Sequence, residues 1–194
     1  PLHVYDASKL SGNLVMRKSH NKEKCKTLDE KEYTLSDEMV VISDDKSLHG
    51  IGGVMGGLNS GCSENTTDVF LEVALFDPIS VTKTGRKLNL QSDARYRFER
   101  GLDYTSIDWG VDIATQMILD LCGGETSEIV ADKLDNPKSQ TINFDTSLIK
   151  SYGGINISED QQKKILEKLG FIVSSKDKKI FKITIPFFWT DIAS

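Results

Sequence analysis

Between Gly50 and Gly61 the chain places six glycines in twelve residues, with Ile51, Val54 and Met55 set among them. A flexible linker carries glycine and serine without bulky hydrophobes. Glycine mixed with large apolar residues describes a buried backbone that passes close to something a side chain would hit. Three readings fit. Gly50-Ile51-Gly52-Gly53-Val54-Met55-Gly56 approaches a phosphate-binding GxGxxG. That reading needs a strand before it, a helix after it and an acid ~20 residues on. Here Leu58-Asn59-Ser60-Gly61 and then a strand follow, and no Lys-Ser/Thr pair completes a Walker loop. The second reading is close packing of backbone in a core. The third is a pocket wall kept bare so that a ligand fits.

The segments around the glycines alternate between short strands and polar turns. Leu14-Val15-Met16, Tyr33-Thr34-Leu35 and Met39-Val40-Val41-Ile42 are strand signals bounded by charged or glycine-containing turns. Val69 to Phe76 reads as a strand ended by Asp77-Pro78. Ile107, Val111, Ala114, Ile118 and Leu121 recur at helical spacing, and Gly123-Gly124 stops that helix. Ile129-Val130-Ala131 reads as a short strand and Asn136-Pro137-Lys138-Ser139 as a linker.

The last ~55 residues form a separate α+β pattern. Asp145 is placed to cap a short helix that runs through Tyr152 and ends at Gly153-Gly154. Ser158-Glu159-Asp160-Gln161 is a capping box. It opens a helix with Ile165, Leu166 and Leu169 inward and Gly170 as its stop. Phe171-Ile172-Val173 and Ile180 to Ile185 form a hairpin. The order strand, helix, helix, hairpin suggests a winged helix.

Composition excludes several classes. A net charge of −5 is wrong for a basic nucleic-acid coat, though a local basic patch is compatible with it. No apolar run approaches the ~20 residues of a membrane span. Cys25, Cys62 and Cys122 lie far apart without a CxxC, and His3, His20 and His49 supply no paired ligands. A structural zinc site and a secreted disulfide framework are both disfavoured, which suits a reducing cytosol. The chain begins at Pro1 with no signal segment and ends at Ser194 without a tail, so it reads as a piece of something longer.

Two features carry candidate chemistry. Glu72 interrupts an apolar strand. It is either an outward strand position or a carboxylate aimed into a pocket. Ser92-Asp93-Ala94-Arg95-Tyr96-Arg97-Phe98-Glu99-Arg100-Gly101 is dense in cations and aromatics. It is either a solvated ion-pair segment or a surface that meets phosphates and bases. His3 alone is uninformative.

Taken in order, Pro1-Leu2-His3, Ile51 to Gly57 with Ser60-Gly61, Val69-Phe70-Leu71-Glu72, Thr84-Gly85-Arg86, Ser92 to Asp103 and Leu121-Cys122-Gly123-Gly124 form a specific set. The set resembles the middle of the bacterial-type phenylalanyl-tRNA synthetase beta-subunit family. The resemblance implies an α+β fold: a mixed-sheet α/β editing domain over residues 1–138, then a small winged-helix-like domain over 139–194, truncated at its C-terminal end. The second part is marked by Glu167-Lys168-Leu169-Gly170-Phe171 and by Pro186 with Asp191-Ile192.

The resemblance also implies a function: hydrolysis of tyrosine wrongly attached to tRNA(Phe). An apolar phenylalanine pocket rejects an added hydroxyl by only about 100-fold, so a second site that reads the hydroxyl is useful. By motif position, Glu72 recognises that hydroxyl. Gly56 and Ala94 keep the aromatic pocket open, Ser92 stands where relatives often have Thr, and His3 lies near the ester. No Ser/His/Asp nucleophile set is visible, so a positioned water is the expected attacker. Arg86, Arg95 and Arg97 are candidate tRNA contacts. Asp191 matches the first acid of a magnesium cluster that is incomplete here. Magnesium and ATP belong to the intact enzyme, with neither expected bound to this piece. The implied partners are tRNA(Phe) and the alpha subunit, in a cytoplasmic heterotetramer with no membrane. The competing readings are a non-catalytic domain that binds tRNA or the alpha subunit, and a DNA-binding winged-helix regulator, against which the net negative charge weighs.

Overall fold

The structure is a computed structural model that describes residues 2–132, 139–175 and 179–192. The chain divides into two compact units, Pro1–Ser127 and Glu128–Ser194.

The first unit opens with eight strands: β1 Leu2–Asp6, β2 Val15–Lys18, β3 Lys24–Lys26, β4 Glu32–Thr34, β5 Val40–Ser43, β6 Leu48–Ile51, β7 Met55–Gly56 and β8 Val69–Val73. Three helices follow, α1 Pro78–Leu88, α2 Asp93–Phe98 and α3 Ser106–Cys122. The strands form a four-stranded sheet in the order β2-β5-β6-β7 and two pairs, β1-β8 and β3-β4. Every pairing among the described residues is antiparallel, so the class is α+β but the expected mixed sheet is not present. Short turns between sequential strands explain this for β3-β4, β5-β6 and β6-β7, because parallel neighbours would need long crossovers.

Strand β5 lies between β2 and β6, which is why Val40-Val41-Ile42 is a continuous apolar run. Val41 is buried with Met39, Ile51, Val54, Val81, Leu90 and Phe98 in the main core. The glycine segment forms the end of β6, a turn and β7. A Cβ on Gly52 would lie 2.8 Å from the Phe76 ring, and one on Gly57 would lie 2.7 Å from the His49 carbonyl oxygen. Gly53 adopts φ +70°, a left-handed turn conformation that side chains resist. Close packing is therefore what these glycines serve. The next regular element is strand β8, and the phosphate-loop reading fails for want of a helix.

Helix α1 follows β8 in a stretch that carries no apolar period. Asp77 caps it, with Oδ1 accepting from the Ser80 amide at 2.7 Å, and Pro78 fills the first turn. Helix α3 matches its periodicity: Ala114 is buried, Ile107, Val111 and Ile118 are partly covered, and Leu121 at the end is exposed. The strand expected at Ile129-Val130-Ala131 is absent. Val130 is 96% exposed, and among the described residues no strand pairs with the segment. Of the expected linker, Asn136 to Lys138 lie outside the described residues.

The second unit contains β9 Thr141–Asp145, α4 Leu148–Gly153, α5 Glu159–Lys168, β10 Ile172–Ser175 and β11 Ile180–Thr184. Its sheet has the order β10-β11-β9 and is antiparallel throughout. Val173, Phe181 and Ile183 form its core, with Ile142, Phe144, Leu166 and Phe171 packed on them. The order strand, helix, helix, hairpin is the one read from the sequence. Ser158 caps α5 as expected, with Oγ accepting from the Gln161 amide at 3.4 Å.

Two local expectations change. Asp145 ends β9 and does not cap α4; its carboxylate accepts from the Ser147 amide at 2.9 Å and hydroxyl at 2.7 Å. The inner face of α5 is Leu166 with buried Gln162, whereas Ile165 and Leu169 are about half exposed. Gln162 can turn inward because its Nε2 donates to the carbonyls of Thr146 and Ile157 at 3.2 and 2.9 Å.

Candidate functional site

The site is organised by the antiparallel pair β1-β8. His3 stands opposite Glu72, and Tyr5 opposite Phe70. Side chains two apart in a strand share a face, so His3, Tyr5, Phe70 and Glu72 all lie on one side of this ribbon. Leu2 and Val73 lie on the other side, where they border an apolar groove of about 230 Å³ with Ile107, Ile113 and Met117 of α3. None of the predicted site residues lines that groove.

On the polar side, the Tyr5 hydroxyl donates to Oε2 of Glu72. Tyr5 is 1% exposed, and its ring meets His3 edge-on at 4.5 Å and His49 edge-on at 6.1 Å. Gly56 completes the group. A Cβ there would lie 2.4 Å from Cε1 of His3, so the bare backbone of β7 makes room for the imidazole. The expectation that Gly56 keeps a slot open is corrected to this extent: the space beside it is occupied by His3. Nε2 of His3 is buried and has no hydrogen-bond partner among the described residues.

Burial sets the electrostatics. It pushes the Glu72 carboxyl above the ordinary carboxylate range, and the Tyr5 hydroxyl pulls it back only in part. It lowers the His3 imidazole, which is therefore neutral near pH 7. The Tyr5 phenol is raised by burial first, then by the charge and hydrogen bond of Glu72, and so it stays the donor. The result is one partly buried carboxylate whose partner in the folded chain is a phenol, with the His3 ring beside that phenol.

Beneath Tyr5 lies a pair that the sequence reading missed. Nε2 of His49 sits 2.8 Å from Oδ2 of Asp44, and both side chains are almost fully buried. Asp44 also accepts from the amides of Ser11, Lys46 and Ser47 at 2.7–2.8 Å. Burial works to raise this carboxyl, but those amides and His49 outweigh it and hold it well below the usual range. The available signal was an Asp and a His five residues apart, on either side of the β5-β6 turn and just before the glycine run.

Ser92 and Ala94 are placed differently. Ser92 is the N-cap of α2: its Oγ accepts from the Arg95 amide at 3.0 Å and donates to the Val54 carbonyl. Its hydroxyl thus ties α2 to the glycine segment. Ala94 packs against the main core. The structure gathers His3, Gly56 and Glu72 around Tyr5, and puts Ser92 and Ala94 on the helix that buttresses the glycine turn.

The arginines separate into two kinds. Arg95 is 6% exposed; its Nε meets Glu99 at 3.0 Å and its Nη1 donates to the Leu90 carbonyl at 2.7 Å. A guanidinium held this way is a structural latch, which corrects its assignment as a tRNA contact. Arg100 pairs with Glu99 and stacks 3.6 Å over the Tyr96 ring. Arg86 and Arg97 are exposed. In the second unit Asp191 is exposed, and among the described residues no three His, Cys, Asp or Glu gather to hold a metal. One exposed carboxylate does not fit a magnesium site.

The model of the B3/4 domain family matches residues 1–123. This chain belongs to the B3/4 domain family. The model of the tRNA synthetase B5 domain matches residues 142–194, so a B5 domain follows the B3/4 domain. The B3/4–B5 chain is 45% identical over 193 residues to the phenylalanine–tRNA ligase beta subunit of Novosphingobium aromaticivorans, covering 100% of this chain and 24% of that protein. It is 48% identical over 171 residues to that of Mesorhizobium japonicum, covering 88% and 21%. The chain thus spans under a quarter of the length of these relatives, and it is homologous to a segment of an aminoacyl-tRNA synthetase subunit. An N-terminal fragment of the phenylalanyl-tRNA synthetase beta-subunit from Pyrococcus horikoshii overlays loosely, with TM-score 0.46 and 12% identity over 100% of this chain and 56% of that one.

Proposed function

We propose that this B3/4 domain is the editing module of a phenylalanine–tRNA ligase beta subunit and hydrolyses tyrosine from Tyr-tRNA(Phe). The observation that carries this reading is Glu72: a desolvated carboxylate in an apolar strand that takes a phenol hydroxyl as its hydrogen-bond partner. A substrate tyrosine would present the same donor. Phenylalanine would present none and so gains no bond to this carboxylate. Correct product is disfavoured on that ground.

The chemistry is ester hydrolysis. A water oxygen attacks the ester carbonyl carbon, the bond from that carbon to the ribose oxygen breaks, and the ribose oxygen takes up a proton. His3, neutral and with a free Nε2, is suited to orient the ester end, and backbone amides and the terminal ribose hydroxyl supply the remaining polarity. Arg86 and Arg97 remain candidate contacts to tRNA phosphates. We assign residues 1–138 to editing and residues 139–194 to a small winged-helix-like module; the compact units themselves divide between Ser127 and Glu128. Ligation with ATP and magnesium, the alpha-subunit partnership and the cytoplasmic setting are proposed for the whole ligase. No helix of the described residues is long and apolar enough to cross a membrane.

One observation favours a second reading. Tyr5 already occupies Glu72, as it would in a silent domain retained for binding tRNA or the alpha subunit. A single experiment separates the two. The full-length ligase, wild type and Glu72→Ala, is assayed for hydrolysis of Tyr-tRNA(Phe) and Phe-tRNA(Phe). Editing predicts clearance of Tyr-tRNA(Phe) by the wild type and a Tyr-to-Phe rate ratio about fivefold lower in the variant, the effect of losing one hydrogen bond of ~1 kcal/mol. No hydrolysis above background by the wild type establishes the silent reading.

A further inference from the structure

We propose that Tyr5 is a built-in competitor for Glu72, a specificity residue whose phenol sets how strongly this site separates tyrosine from phenylalanine. The inference rests on the reading of Glu72 as the residue that recognises a substrate phenol.

Three observations carry it. The Tyr5 hydroxyl bonds Oε2 of Glu72 across the β1-β8 ribbon. The Tyr5 ring cannot easily leave, being 1% exposed and flanked edge-on by His3 and His49. The carboxylate is desolvated, so its choice of partner has energetic weight.

The consequence follows from what each ligand leaves unpaired. Discrimination by a buried carboxylate depends on phenylalanine stranding it. With Tyr5 in place, phenylalanine does not strand Glu72, because the internal phenol stays bonded. A substrate tyrosine must displace Tyr5 or share the carboxylate, and so gains less than a full charge-assisted bond. Tyr5 therefore blunts selectivity from both sides. It also has a use between turnovers, since it keeps a desolvated carboxylate satisfied while the site is empty.

The test is Tyr5→Phe in the full-length ligase. The ring and its packing are retained and only the hydroxyl is lost. Hydrolysis of Tyr-tRNA(Phe) and Phe-tRNA(Phe) is measured as kcat/KM, with thermal unfolding as a fold control. The expected result is a Tyr-to-Phe ratio that rises by about tenfold, within the range set by one unpaired buried acceptor. A purely structural role for the Tyr5 hydroxyl would lower both rates together and leave the ratio unchanged, which overturns the inference. So does a falling ratio. If Tyr5→Phe is unfolded at the assay temperature, the ratio and its pH profile are read in Tyr5→Phe at reduced temperature, with the same direction required. Glu72→Gln runs in parallel. A ratio unaffected by Glu72→Gln removes the reading of Glu72 itself. A ratio that changes there but not in Tyr5→Phe removes only the role of Tyr5. The groups that face the carboxylate and bear on the pH profile are His3 and Tyr5 on β1, with His49 of β6 against the Tyr5 ring.

Discussion

The smallest decision in this molecule is the missing side chain at Gly56. Its backbone needs no unusual conformation, so the requirement is for space alone: the His3 ring stands 2.4 Å from where a Cβ would be. Gly56→Ala should force His3 aside and destabilise the first unit by about 1–3 kcal/mol, the usual range for overpacking. The clash involves one partner, so His3→Ala should recover at least half of that loss in the double variant. Chemical denaturation of the four proteins closes this cycle. Equal losses in both backgrounds would place the crowding elsewhere. Glu72 belongs to the same scale. Its residue type and its neighbours Leu71 and Val73 made it conspicuous in the sequence, but its partner did not. Tyr5 lies 67 residues away, and only the antiparallel register of β1 with β8 joins them.

Among the elements, the segment from Asp77 to Glu99 governs how the glycine turn is supported. Helix α1 presents buried Gly85 to the Arg95 side chain, where a Cβ would fall 2.3 Å from Nε, and Ser92 fastens the start of α2 to Val54. Ser92→Val loses both the cap and the tie to Val54, for an expected cost of about 1–2 kcal/mol, whereas Ser92→Thr keeps the hydroxyl and should stay near wild type. Thermal unfolding checks this, and equal effects in the two variants would mean that bulk and not hydrogen bonding decides at residue 92. This region also marks the limit of legibility. Strand β5, helix α3 and the α5 cap were readable because each rests on local pattern: a continuous apolar run, a 3.6-residue period, a Ser-x-x-Gln box. Helices α1 and α2 were not, because their sequences are polar and charged and each turns only one large apolar residue inward, Val81 beside Thr84 and Gly85 in α1 and Phe98 beside Arg95 in α2, too few to mark a period. The same cause misassigned Arg95. Its spacing with Arg97 resembles a basic surface, and its burial depends on the Leu90 carbonyl and Glu99, which meet it only after folding. At Ile129-Val130-Ala131 the opposite happened: β-branched composition met no partner strand among the described residues, and composition alone does not make a strand.

At the scale of the whole chain, the two units have separate cores and different electrostatics. In the first, hydrogen bonds and charged partners hold Asp6, Glu23, Asp29 and Asp44 below the ordinary carboxylate range, with burial opposing in each. In the second, among the described residues, the depressed carboxyl is Asp145, an exposed group whose bonds are screened by water. A carboxyl lowered by folding contributes stability that is complete above its unfolded pKa, about 4, and is lost as pH falls through the folded value. Lowered His3 acts in the same sense, since below about pH 6.5 the unfolded chain takes up a proton that the buried ring resists. Raised Glu72 acts oppositely and gains the fold stability as it protonates, but it is one group against several. The first unit should therefore unfold at a higher pH than the second. The chain carries two tryptophans, Trp109 in the first unit and Trp189 in the second. Trp189 is stacked on Phe171 at 5.9 Å and donates to the Leu169 carbonyl, so its emission reports its own fold. Acid titration of Trp189→Phe and Trp109→Phe should give two transitions, with the Trp109 signal changing first on the way down. Asp44→Asn should move only that first transition to higher pH, because it removes the buried charge that His49 and three amides hold in place. Coincident transitions that ignore Asp44→Asn would mean that the two units unfold as one body and that Asp44 does not govern acid stability.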